Sequence, residues 1–130
     1  TEVLAQMYQA VRPGGGILLT VPQHPWLWSQ ADDYAHHVRR YRAIELQQKV
    51  TAAGFCVVRM TSFISLLLPL LLASRLRQKR SQPNYDPTAE LRIRGWLNGM
   101  LENILSWERW MIQKGVAFPA GGSLLLIAKK

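Results

Sequence analysis

Two helix-to-strand passages in succession constrain this chain more than any other feature. Residues 8–22 read YQAVRPGGGILLTVP, a helix end, a glycine turn and an apolar strand, and residues 49–60, KVTAAGFCVVRM, repeat that logic. Helices alternating with strands fold as layered α/β sheets. Val3, Leu4, Met7 and Val11 fall at helical spacing, so 2–12 reads as an amphipathic helix. It closes where Pro13 stops the ladder and Gly14 takes a left-handed turn. The strand at 17–21 lacks alternation, which predicts burial on both faces, as in a central parallel strand. A second helix is expected over 43–53, with Leu46, Val50 and Ala53 on one face, then Gly54 and a strand over 55–60. FPAGGSLLLIAKK supplies a turn at 119–122 and a last apolar strand, 123–128, that must pair inside a sheet.

With 48% hydrophobic residues the chain can fill a core, which sets aside a disordered polypeptide. Its 16 Lys+Arg against 8 Asp+Glu give a formal charge of +8, which favours an anionic partner: nucleic acid, an acidic lipid surface or a phosphorylated substrate. No aromatic ladder or known motif accompanies the charge, so nucleic acid is the least supported of these. The single cysteine, Cys56, excludes an internal disulfide and fits a reducing compartment, and no signal-peptide pattern opens the sequence. The expected location is cytoplasmic, with peripheral membrane contact as the variant.

That variant rests on residues 63–80. The apolar run FISLLLPLLLA, beginning at Phe63, is followed by RLRQKR. A spanning helix needs about 20 apolar residues, and this run is shorter and holds Pro69, expected to kink or end a helix. Two readings stay open: a buried core or subunit-contact segment, or an interfacial anchor with Arg75, Arg77, Lys79 and Arg80 over anionic lipid. After the polar stretch SQPNYDPT, a second amphipathic stretch runs over about 89–113, with Leu97, Leu101, Ile104, Leu105 and Trp110 roughly on one face. Residues 22–41, between the first strand and the second helix, read as a long polar and aromatic loop. Loops at the ends of parallel strands are where such folds place their chemistry.

The segment LAQMYQAVRPGGGILLTVP resembles the fourth helix and fifth strand of class I S-adenosylmethionine-dependent methyltransferases. RAIELQQKVTAAGFCVVRM resembles the next helix and the sixth strand. GGSLLLIAKK resembles the seventh strand, which in that fold inserts antiparallel between the fifth and sixth. The resemblance therefore implies an α/β, partial Rossmann-like methyltransferase sheet made of its last three strands. Residues 1–130 would be the C-terminal portion of one domain, with 65–116 a helical insertion. HPWLWSQADDYAHHVRRY is similar to a HPxLfxxxDxxxxHxRRY segment of methyltransferases acting on small molecules or on sugar- and lipid-linked intermediates, with Asp32, His37, Arg39, Arg40 and Tyr41 on the matching positions. His36 stands where glycine is common, and Arg42 where a Ser or Thr N-cap is frequent, a loss of about 1 kcal/mol.

The resemblance further implies that S-adenosylmethionine is bound mainly by an N-terminal half. That half would carry a glycine-rich strand-to-helix turn and an acidic strand end, neither of which occurs in this sequence. The chain alone is then expected to be inactive, with its first strand exposed as an apolar edge prone to self-association. In methyl transfer the protein aligns the nucleophile and handles its proton. His37 is the candidate base or orienting donor, since imidazole titrates near neutrality. The alternative is a structural histidine bonded to Asp32. Arg39 and Arg40 would clamp a carboxylate or phosphate, or else stack on Tyr41 or pair with Asp32 or Asp33. Trp28, with Trp26, would wall an apolar substrate pocket or sit in the core.

Gly14, Gly15 and Gly16 serve the turn, because a phosphate loop follows a strand and these precede one. His24, His36, His37 and Cys56 match no zinc spacing, so no metal is expected, and Cys56 is read as a small hydrophobe within its strand. The function expected is methyl transfer to a small-molecule or lipid- or sugar-linked acceptor. The rivals are a non-enzymatic basic α/β module binding a membrane surface or acidic partner, and an RNA methyltransferase.

Overall fold

The computed structural model describes residues 2–78 and 94–130, and side chains for all of these except 76–78. Two parallel strands separated by a third that opposes both form the centre of the fold. Helix α1 (Glu2–Ala10) leads through the glycine turn to β1 (Gly16–Pro22), and α3 (Ala43–Ala52) leads to β2 (Cys56–Phe63). Strand β3 (Ser123–Lys129) lies between them, antiparallel to each, in the order β1-β3-β2. This is the arrangement expected for the final strand. Gly14 adopts φ 77°, the left-handed conformation that the turn requires.

The core sits on one face of this sheet. Leu124, Leu126 and Ala128 of β3 are essentially inaccessible and pack with Leu46 and Val50 of α3 and with Phe55. Leu4, Tyr8 and Val11 close the same cluster from α1. Each fully buried leucine contributes about 2 kcal/mol by the apolar area it removes from water. Lys130 secures α1, its Nζ donating to the carbonyls of Tyr8 and Val11 and lying 4.5 Å from the Tyr8 ring centroid. A cation at a helix C-terminus also meets the negative end of the helix dipole.

Several expectations are corrected. Among the described residues β1 is an edge strand with alternating burial, not one buried on both faces: Leu18 is 63% exposed. Pro22 to Tyr41 is not simply loop. It holds a 3-10 turn (Pro25–Leu27) and the short helix α2 (Gln30–Tyr34). Cys56 is exposed, because it opens β2 where the strand leaves the core. Pro69 does not break a helix; it stands second in α4 (Leu68–Gln78), in the first turn where a missing N–H costs nothing.

In α5 (Gly95–Gln113) the inward positions are Leu97, Leu101, Ile104, Glu108, Met111 and Ile112. Leu105 and Trp110, counted as inward by their apolarity, are exposed. The stretch SQPNYDPT, the start of the second amphipathic stretch (89–93), Lys79 and Arg80, and the Arg77 side chain all lie outside the description.

Helix α5 is joined to β2 and to the turn before α4 through polar contacts. Arg59 of β2 donates to the carbonyls of Ile112 and Val116 at the end of α5. Glu108, only 2% exposed, accepts the backbone N–H groups of Ser65 and Leu66 at 2.8 and 2.9 Å. These two successive amides follow Ile64, itself at φ 58°, and form a small anion-binding concavity that the carboxylate fills.

Candidate functional site

The chemistry-bearing residues of the 24–41 segment converge at the C-terminal end of β1. Ser29 starts α2 in a capping box with Asp32, whose carboxylate returns to the Ser29 backbone N–H at 3.0 Å and to its hydroxyl at 3.2 Å. The chain then turns back, and Tyr41 forms a parallel bridge with Gln23 just beyond β1, with the Tyr41 N–H donating to Pro22 O at 2.8 Å. This return brings His37 and Arg40 onto Asp32.

Asp32 is the hub. At 1% exposure it accepts Arg40 Nε at 2.9 Å and His37 Nδ1 at 3.0 Å, in addition to the two Ser29 contacts. Burial pushes its carboxyl up, but the hydrogen bonds from His37 and Arg40, the Arg40 charge and the Ser29 amide together hold it below the usual carboxylate range. An ionised carboxylate only accepts, so Nδ1 of His37 must be the protonated nitrogen, and the neutral ring keeps its lone pair on Nε2. Both readings of His37 are thereby compatible: bonding to Asp32 fixes the tautomer a base would need. The side chain of His37 is 42% exposed.

Arg40, by contrast, is committed within the fold. Besides Asp32 it donates to the carbonyls of Gln23 at 3.0 Å and Gly122 at 3.4 Å, tying the segment to the start of β3. Arg39 takes the other course, lying 4.5 Å over the Tyr41 ring and 3.5 Å from Glu45, with its side chain 47% exposed. Of the two arginines, Arg39 is the one presented outward.

Trp26 and Trp28 are 57% and 36% exposed, so neither is core, and the Trp28 indole N–H donates to Asp33 at 3.0 Å. His36 is exposed at φ 52°, whereas it is His37 that bonds to the Asp32 carboxylate, which distinguishes the two adjacent histidines. Among the described residues no group of three or more His, Cys, Asp or Glu side chains could hold a metal.

Two residues had no assigned role here in the sequence. Gln23 is 1% exposed, and its side chain accepts the Gly121 N–H at 3.1 Å and donates to Pro119 O at 3.4 Å. Gly121 is required beside it, since a Cβ there would collide with Phe63 O. His24 holds φ 61°, an unusual conformation for a non-glycine residue, and its buried Nε2 has no hydrogen-bond partner among the described residues. Burial, and secondarily the Arg40 charge, lower its pKa. The sequence signal for both was their position directly after the strand end.

The described residues do not form a cradle for a nucleotide-like cofactor. Neither strand-to-helix connection, 23–29 after β1 or 64–67 after β2, contains a glycine, while Gly15 precedes β1 and Gly16 opens it, where a Cβ would meet Arg12 O and Ala128 O. The concavities of about 340 and 700 Å³ lie along α5, away from Asp32.

No family model matches the chain, and no curated protein matches it. Among solved structures it is similar to SeMet Haemonchus contortus phosphoethanolamine N-methyltransferase 2 in complex with S-adenosyl-L-methionine, at 16% identity and a TM-score of 0.48. That match covers 99% of this chain and 29% of the other, so the chain spans under a third of the solved protein's length. A likeness at this level does not bear on what the chain does.

Proposed function

We propose that this chain is the acceptor-side, C-terminal portion of a class I S-adenosylmethionine-dependent methyltransferase domain, with residues 65–116 inserted before its last strand. The acceptor is a small molecule or a lipid- or sugar-linked intermediate. The observation that carries the reading is the sheet: two mutually parallel strands split by a later antiparallel one, with a polar cluster at the C-terminal end of β1, where open α/β sheets place their sites. The open edge of β1 is where the remaining strands would add. S-adenosylmethionine would be held mainly by a segment outside this structure, since the residues present do not fit it.

This chain's own part is binding and proton handling. His37, with Nδ1 fixed on Asp32, offers Nε2 to the proton of an acceptor hydroxyl or amine, and the Asp32 carboxylate stabilises the imidazolium that results. Arg39, presented outward on Tyr41, supplies a planar cation for an acceptor carboxylate or phosphate. Trp28 offers an apolar wall. Arg40 positions the cluster by joining it to β1 and β3.

The experiment uses the chain joined to the polypeptide encoded directly before Thr1. Calorimetry should detect S-adenosylmethionine binding, and His37→Gln should lower kcat on an identified acceptor by about 10²-fold to 10⁴-fold with binding of the cofactor and the circular dichroism spectrum unchanged. Absence of cofactor binding by that longer protein would overturn the reading. The second reading, a basic α/β module without catalysis, draws on the charge of +8 and predicts membrane or acidic-partner binding with no affinity for S-adenosylmethionine.

A further inference from the structure

Helix α5 presents two unlike sides. Its inward side packs on the fold through Leu97, Leu101 and Ile104 and is latched by Glu108. On the outward side Trp96, Trp107 and Trp110 are 69%, 68% and 54% exposed, with Met100 at 46%. At helical spacing 96, 100, 103, 107, 110 and 114 form one line along the whole helix. No acid lies on this line: its polar members are Asn103 and Lys114, while Glu102 and Arg109 occupy the far flank and Glu108 is buried. Lys114 Nζ stands 5.9 Å from the Trp110 ring centroid, and Arg94 directly precedes the helix. Leu66 and Leu70, 44% and 52% exposed, add apolar surface from α4 and the turn before it, and a groove of about 700 Å³ lies between Leu66 and the tryptophan line.

The chemistry selects the occupant. Tryptophan, with an apolar body and one polar N–H, is favoured where water meets hydrocarbon. A straight, acid-free line with cations at both ends suits a flat anionic surface. A second copy of a chain carrying +8 is disfavoured by like charge. No described helix is long and apolar enough to cross a membrane, so α5, about 28 Å long at 1.5 Å per residue, would lie along a bilayer instead of through it.

We propose that α5 seats in the headgroup region of an anionic bilayer, with Trp96, Trp107 and Trp110 inserted and Arg94 and Lys114 against lipid phosphates. This places the principal membrane contact on α5, with Leu66 and Leu67 adjoining it. The inference is independent of the methyl-transfer reading.

Flotation of this chain with phosphatidylcholine vesicles, with and without phosphatidylglycerol, tests it. The chain should float with the anionic vesicles and not with the neutral ones. W96A/W107A/W110A should lower partitioning at least about tenfold, through lost apolar insertion. Lys114→Gln should lower it about fivefold. Because these side chains are outside the core, unchanged circular dichroism and thermal unfolding should accompany both changes. Failure of the wild-type chain to bind anionic vesicles would overturn the proposal. So would a triple variant that binds as well as wild type while Leu66→Ser/Leu70→Ser abolishes binding, which would put the contact on α4. Sedimentation showing a dimer that the triple variant loses, without lipid uptake, would assign the line to a second copy.

Discussion

At the end of β1, a buried acid gathers side chains of its own segment into one site, and at α5 another buried acid holds a helix whose outer side is left apolar. Asp32 is surrounded by ionic and side-chain partners, including Arg40, His37 and Ser29. Among the described residues Glu108 has only backbone amides. The difference is one of purpose. The first acid organises groups that can bind and move a proton, and its own charge is cancelled by Arg40. The second fills a concavity in the main chain and so fixes where α5 lies.

The comparison is broken most severely by removing the first acid. Asp32→Ala should lower stability by about 3–5 kcal/mol, because it leaves the Arg40 guanidinium buried without its counterion. Urea unfolding measures this, and a loss under about 1 kcal/mol would show that Arg40 is held by the Gln23 and Gly122 carbonyls alone. Glu108→Ala should cost less, about 2 kcal/mol, by leaving the Ser65 and Leu66 amides unsatisfied. Hydrogen exchange should accelerate at those two amides and along α5 while β1 and β3 stay protected. Equal acceleration everywhere would make Glu108 part of the global fold and not a local latch.

Acid probes the first region by another route. Asp32 has a folded pKa below its ordinary 3.8, so its stabilisation is complete above that value and is lost as pH falls through the lower, folded one. His24 also has a lowered folded pKa. The unfolded chain therefore takes up its proton first, and stability begins to fall below about 6.5. Thermal melts should show a shallow decline below that pH, absent in His24→Asn, and a steeper one below pH 3.8, absent in Asp32→Asn. The smallest effect is a gain. Arg42 occupies the α3 N-cap in extended conformation with no side-chain cap bond, so Arg42→Ser should add about 1 kcal/mol. A gain there would leave both acidic sites undisturbed.

Local grammar made much of the fold legible. Pro13 and Gly14 ended α1, Gly54 ended α3, and the apolar β3 proved to be the buried centre of the sheet. The order of the strands came only from resemblance, because pairing is a non-local choice that periodicity does not encode. Glu108 was invisible for a different reason. A glutamate in an amphipathic helix ordinarily faces water, and only the tertiary approach of the Ser65 and Leu66 amides makes its burial favourable. The same logic misplaced Trp110 and Leu105, since an apolar count assumes that every large hydrophobic residue is turned inward.

In the candidate site Asp32, His37 and Arg40 were legible as a set. Their division of labour was not: which arginine pairs and which is presented depends on Tyr41 folding back onto Gln23. Gln23 carried no signal beyond its place after the strand end, since nothing in a lone glutamine announces that a glycine turn ninety-odd residues later will pack over it.

The position of β3 has a consequence for how the molecule is made. The strand at the middle of the sheet is synthesised after both of its neighbours, so β1 and β2 leave the ribosome with no partner between them. Their apolar faces wait until residues 123–129 emerge. Every ladder bond in the sheet then spans a long loop, which favours slow, late closure over gradual growth. A premature stop before Ser123 would therefore not yield a smaller sheet; it would yield two unjoined strands and a high risk of aggregation.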